Sequence, residues 1–176
     1  MDRSRPVVRP IDGTASGPSP PPVRFGIRVL NEALVAPTFI DPNVSVTSKR
    51  QLLLSLAQRV AEPYGVAERE VLSALQDREQ EGSTGAGEGV AIPHAKLPGL
   101  NRTVTYFARL QDPVSYDSHD DIDVDLVFLI LAPETANGDH LKLLARVSRA
   151  FKDATFCERL RGAEDAAALD ILLNDV

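Results

Sequence analysis

The sequence predicts an α/β fold, a single β-sheet flanked by helices on both faces. Three observations carry that expectation. Strand-like runs are interleaved with runs of helical periodicity along most of the chain. Residues Val124 to Leu131 are nearly all apolar, as a central strand covered on both sides requires. A helix expected from about Gly138 to Phe151 is apolar on two faces, Leu141, Leu144, Ala145 and Ser148 on one and Leu143, Val147 and Ala150 on another.

Taken in order, the chain opens with a proline-rich stretch. Residues 1–24 contain six of the 13 prolines and carry a formal charge of +2, leaving -8 on the rest of a chain whose net charge is -6. Such a segment buries too little apolar surface to offset its ordering entropy, so residues 1–25 are expected to form a flexible N-terminal tail and residues 26–176 the folded domain. From Ser48 to about Tyr64, Leu53, Leu56, Ala57, Val60 and Ala61 follow helical spacing, with Thr47 or Ser48 as N-cap and Pro63 and Gly65 as terminators. A second helix runs from Ala67 to Gln80 with Val71, Leu72 and Leu75 inward. A glycine-rich turn, Gly82 to Gly89, leads into the extended run Val90-Ala91-Ile92, and Pro93 biases Ile92 towards β geometry. Residues Thr103 to Leu110 alternate, with Val104, Tyr106, Ala108 and Leu110 on one face. After the central strand and the apolar helix, two short helices near Thr155–Arg161 and Ala163–Leu173 close the chain.

Composition narrows the function. The 176 residues are 43% hydrophobic and 25% charged, as in a soluble globular protein. The longest apolar run, Leu126 to Ala132, has seven residues, far short of a membrane helix, and the first 25 lack the apolar core of a secretory signal. One cysteine builds no disulfide framework, so a cytoplasmic protein is expected. An acidic balance, with pI about 5.1, disfavours a nucleic-acid or anionic-membrane surface. The glycine run lacks the Gly-Lys-Ser/Thr of a P-loop and the spacing of a dinucleotide fingerprint. Three scattered histidines disfavour a zinc site, so no metal is expected, and Cys157, between Phe156 and Glu158, reads as a small buried hydrophobe.

Phosphate chemistry is what the remaining residues suggest. His94 ends a glycine-rich segment whose backbone N–H groups have no side chains in their way, and Ser83 and Thr84 add hydroxyl donors as a phosphate cradle. A neutral imidazole there can attack a phosphoryl group, although an isolated Pro-His pair is more often structural. His140 falls in the first turn of its helix, after Asn137 as cap, where the positive helix end favours a neutral ring and attracts phosphate, although on its own such a residue is more often a plain surface histidine. Arg78 closes the second helix, either as a cation suited to a helix C-terminus or as a fixed charge against phosphoryl oxygens. His119, in the acidic run Asp117-Ser118-His119-Asp120-Asp121, reads as part of a solvated loop with no assigned role.

Together, Arg78-Glu79, the segment Gly82-Ser83-Thr84-Gly85-Ala86-Gly87-Glu88-Gly89-Val90-Ala91-Ile92-Pro93-His94 and the run Ala132-Pro133-Glu134 to Asp139-His140-Leu141 resemble the fructose/mannitol-type enzyme IIA domain of the bacterial phosphoenolpyruvate-dependent phosphotransferase system. Gly-Ser-Thr-Gly, Ala91-Ile92-Pro93-His94 and Phe156-Cys157-Glu158-Arg159-Leu160-Arg161 look most like its nitrogen-regulatory branch, with Ala86 and Ala95 standing where a larger aliphatic and a glycine are usual. The resemblance implies a mixed α/β sheet, a phosphoryl group carried on His94, and His140 and Arg78 as supporting catalytic residues, with no cofactor. It implies an HPr-like phosphocarrier protein as donor, itself charged by an enzyme I. Three purposes then compete: a regulatory phosphocarrier acting on protein targets, a sugar-transport IIA passing phosphate to a IIB protein, and a non-catalytic binding module.

Overall fold

The computed structural model describes residues 23–24, 37–136 and 138–174. Most of the expected tail and the expected cap Asn137 lie outside them. The described elements are seven strands, β1 (Val23–Arg24), β2 (Phe39–Val44), β3 (Gly85–Gly87), β4 (Val90–Ala91), β5 (His94–Leu97), β6 (Val104–Val114) and β7 (Val124–Pro133). Five helices accompany them: α1 (Lys49–Tyr64), α2 (Glu68–Gln80), α3 (Asp139–Ala150), α4 (Ala154–Gly162) and α5 (Ala166–Asn174).

The strands form one mixed sheet in the order β1-β2-β6-β7-β4-β3. β2 runs parallel to β6, β6 antiparallel to β7, and β4 parallel to β7. β5 also pairs parallel with β7, from His94 opposite Ile130 to Leu97 opposite Pro133. Ile130 is paired with Thr105 of β6 on its other side, so β4 and β5 lie in line along the same edge of β7. Ile92 and Pro93 interrupt that lane. His94 therefore opens a strand; the sequence reading had it only following one.

Alternation on each strand sorts the interior into two layers, as expected of a sheet covered on both faces. Val104, Tyr106, Ala108 and Leu110 pack with Leu129 and Leu131 of β7 against α1 and α2 through Leu52, Leu56, Val60, Val71 and Leu75. The other side of the sheet, with Ile40, Phe107, Phe128 and Ile130, is covered by α3, α4 and α5. On α3 the inward face is Leu143, Val147 and Ala150, whereas Leu141 is 59% exposed. Only one of the two apolar faces read in the sequence is core.

Ser48 is the N-cap of α1, its hydroxyl accepting from Gln51 N at 3.2 Å, while Gln51 Oε1 takes the Thr47 N–H at 2.7 Å. Pro63 fits inside the last turn, and Gly65 at φ 64° ends the helix. β2 has no counterpart in the sequence reading. Its fully buried Asp41 is paired with Arg59 of α1 at 2.5 Å, so a charged residue occupies a core strand.

Candidate functional site

The glycine-rich segment is a hairpin. β3 folds back antiparallel on β4 through a two-residue turn, Glu88 and Gly89, both at positive φ (55° and 78°), the conformation that matches the twist of paired strands. Its glycines serve close approach. A Cβ on Gly87 would fall 2.8 Å from His119 Cε1, and one on Gly85 would overlap the Ser118 hydroxyl. The segment after β6 therefore lies against the hairpin with Tyr116 and Ser118 buried, while Asp117, His119 and Asp121 of the acidic run stay exposed, as a solvated loop requires. Asp120 Oδ2 accepts from Glu88 N at 2.7 Å. On the far side, Arg161 of α4 makes a two-pronged ion pair with Asp125 (2.7 and 2.8 Å) and donates to Glu88 O at 2.8 Å.

The open end of this hairpin carries His94, and the sheet fixes where it stands. Its half-buried ring has Nδ1 2.8 Å from Ile92 O. A carbonyl only accepts, so Nδ1 bears the proton and Nε2 keeps its lone pair. Arg78 Nε donates to that Nε2 at 3.1 Å, while Arg78 Nη1 donates to Gly82 O at 2.9 Å. The last turn of α2 thus delivers a guanidinium to the ring, held by the loop it precedes. Burial pulls the His94 pKa below its ordinary 6.5, the Ile92 bond opposes that, and the Arg78 charge reinforces it.

His140 lies in the first turn of α3, whose N-cap is Gly138 at φ 80°. The His140 ring lies within electrostatic reach of His94, the weakest of the influences on that ring. His140 Nδ1 is buried with no hydrogen-bond partner among the described residues. The structure therefore brings His94, Arg78 and His140 together from β5, α2 and α3.

Ser83 and Thr84 sit in the loop between α2 and β3. Ser83 Oγ donates to Tyr116 O at 3.0 Å and accepts from Gly85 N at 3.2 Å. Buried Thr84 gives its hydroxyl and its N–H to the Glu79 carboxylate. Three residues that sequence reasoning gave no role, Lys49, Glu79 and Tyr116, complete this layer. Tyr116 OH donates to Glu79 Oε1 at 3.0 Å and Lys49 Nζ lies 3.0 Å from Glu79 Oε2. Burial, with Glu79 beside it, pushes the Tyr116 pKa far up, so its hydroxyl stays a donor. One signal was available for Lys49: a cation opening a helix opposes the helix dipole.

Cys157 is buried, with Sγ 3.3 Å from Phe151 O, and burial pushes its thiol pKa up. Among the described residues no group of three or more His, Cys, Asp or Glu side chains is arranged to hold a metal ion, and no helix is long and apolar enough to cross a membrane.

Comparison with known proteins identifies the family and the fold. The profile of the family described as "Phosphoenolpyruvate-dependent sugar phosphotransferase system, EIIA 2" matches residues 33–176. A nitrogen regulatory protein of Bradyrhizobium diazoefficiens is 49% identical over 136 residues, spanning 77% of this chain and 89% of that protein. The crystal structure of nitrogen regulatory protein IIA-Ntr from Neisseria meningitidis superposes with a TM-score of 0.72 at 32% identity, covering 75% of this chain and 90% of that one. The fold also matches the mannitol IIA in its complex with phosphorylated IIB from Escherichia coli, with a TM-score of 0.65 at 21% identity over 76% of this chain and 92% of that one. With a family profile over residues 33–176 and a relative 49% identical over 77% of its length, the chain belongs to the EIIA type 2 family of the phosphoenolpyruvate-dependent phosphotransferase system.

Proposed function

We propose that the protein is a phosphocarrier of the nitrogen-regulatory kind, taking a phosphoryl group onto His94 from an HPr-like protein and changing its protein partners when charged. The observation that carries this is the alignment of His94 between Ile92 O and Arg78, which leaves a neutral ring with its Nε2 lone pair beside a guanidinium. In the transfer, Arg78 leaves Nε2 and takes up the oxygens of the incoming group. The lone pair forms a new N–P bond as the donor's P–N bond breaks and returns its electron pair to the donor ring. The proton stays on Nδ1, hydrogen-bonded to Ile92 O, so no proton has to move. Phosphoryl transfer asks mainly for position and charge stabilisation, for which the Arg78 guanidinium and the N-terminus of α3 are available.

His140, unpartnered at Nδ1 in the first turn of α3, is a second support for the charged group. Ser83 and Thr84 have their hydroxyls given to Tyr116 O and to the Glu79 carboxylate, so their part in the cradle is to hold the shape of the loop that carries Gly82. A donor chain that begins at phosphoenolpyruvate puts this work in the cytoplasm. The relative named nitrogen regulatory protein favours a regulatory purpose over onward transfer to a IIB protein.

The test is incubation with phosphoenolpyruvate, enzyme I and the HPr-like carrier, followed by intact mass of the protein and of its His94→Ala variant. One acid-labile phosphoryl group on the protein, and none on the variant, is the expected result. Absence of the gain while the carrier is charged would leave a non-catalytic binding module. Transfer onward to a fructose- or mannitol-type IIB would make it a sugar-transport IIA.

A further inference from the structure

Glu79 follows Arg78 in α2, yet only 7% of its side chain is exposed. Its carboxylate takes four donors: Thr84 N, Thr84 Oγ1, Tyr116 OH and Lys49 Nζ. Lys49 Nζ also donates to Tyr116 O at 3.1 Å and lies 4.6 Å from the centre of the Tyr116 ring. As the first residue of α1, a helix with no acidic residue in its first turn, Lys49 sits where the dipole repels a cation. Burying a charge pair stabilises a fold little more than apolar packing would. A cluster that breaks a local rule and adds little stability points to a task beyond folding.

The geometry of the turn supplies that task. Glu79 grips Thr84 N while Glu79 O accepts from Gly82 N at 3.2 Å, so both ends of the segment between α2 and β3 are tied to one residue. The turn so closed presents Gly82 O, which holds Arg78 Nη1, and the same guanidinium reaches His94 through Nε. Without the Glu79 carboxylate, the Thr84 end of the turn loses its tie to α2, and among the described residues only the backbone bond from Gly82 N to Glu79 O and the Arg78 contact itself remain on that side.

We propose that Glu79 is a positioning residue: with Lys49, Thr84 and Tyr116 it closes the turn whose Gly82 carbonyl sets the Arg78 guanidinium against His94 Nε2. The kinetic part of this inference rests on His94 being the phosphoryl acceptor. A merely structural ion pair would lower stability and leave the relation of Arg78 to His94 intact.

The test compares Glu79→Gln with wild type and with Arg78→Ala by two readouts. The first is the imidazole ¹⁵N spectrum of the unphosphorylated protein, in which the His94 Nε2 resonance of Glu79→Gln is expected to shift towards its position in Arg78→Ala. The second is phosphoryl transfer from the charged HPr-like carrier, with turnover expected to fall on the order of tenfold or more and the KM for the carrier unchanged. If Glu79→Gln does not fold, Lys49→Gln, which loosens the same cluster from α1, is read in the same way. A wild-type His94 resonance and wild-type turnover, with only the melting temperature lowered, would overturn the proposal. If wild type accepts no phosphoryl group, the acceptor reading fails, and the resonance alone still decides whether Glu79 positions Arg78.

Discussion

His94 stands half-buried, and removing water from around its ring disfavours the imidazolium form more than the Ile92 carbonyl and the Glu79 charge restore it. The folded ring therefore binds its proton less readily than in the unfolded chain. By linkage, its contribution to stability is complete above the ordinary value of 6.5 and is lost as the pH falls from there through the lower folded value. The same shift keeps the acceptor lone pair available in mildly acid solution. An NMR titration of the His94 ring is expected to find it more than half neutral at pH 6.5, with the rate of phosphoryl acceptance falling to half its plateau only below that pH. A midpoint at or above 6.5 would contradict this. At this scale His94, Arg78 and His140 were candidates by residue type, but type alone left each with an equally ordinary structural reading, and it was the resemblance of the surrounding motifs that singled them out. Glu79, Lys49 and Tyr116 were not candidates, because what matters about them is which neighbour they reach across 30 or more residues.

Among the elements, the glycine hairpin shows how sequence can name a segment and miss its use. Its glycines marked a turn, but nothing in the sequence said that the acidic run and α4 would press on them. Gly89 is the sharpest case: its φ is 78°, and a Cβ would lie 2.6 Å from Arg161 Nη2. Gly89→Ala is expected to cost about 1–3 kcal/mol from backbone strain, with further loss as the Arg161–Asp125 fork is pushed aside. Gly162, the last residue of α4, has open space where its Cβ would be, and Gly162→Ala is expected to stabilise by up to about 1 kcal/mol. Urea unfolding of the two variants measures both. β2 and β5 escaped the sequence reading for opposite reasons. Asp41-Pro42-Asn43 uses the vocabulary of turns, while His94-Ala95-Lys96-Leu97 has no β-branched residue, and it is strand only because β7 lies beside it.

Over the whole molecule, the sheet separates two apolar layers, and that division was legible because periodicity reports burial directly. What periodicity cannot report is a polar tie through the interior. Asp41 on β2 is fully buried, bound to Arg59 of α1 and accepting weakly from Tyr106 OH at 3.4 Å. Arg59→Met would leave an unpaired carboxylate inside the protein and is expected to cost about 3–5 kcal/mol, read as a lower midpoint in denaturant with an unchanged slope.

The break at Ile92–Pro93 has a consequence for traffic through the site. Because β4 and β5 keep the same neighbour on either side of it, the residue that emerges from the break is moored to the middle of the sheet. The backbone of His94 is held by its pairing with Ile130. On the phosphocarrier reading proposed above, a partner would have to bring its own reactive atom to one fixed berth, and the adjustment that a flexible loop would share would fall on the arriving protein. Donor and acceptor would then meet the same backbone, with only the Arg78 side chain rearranged between them.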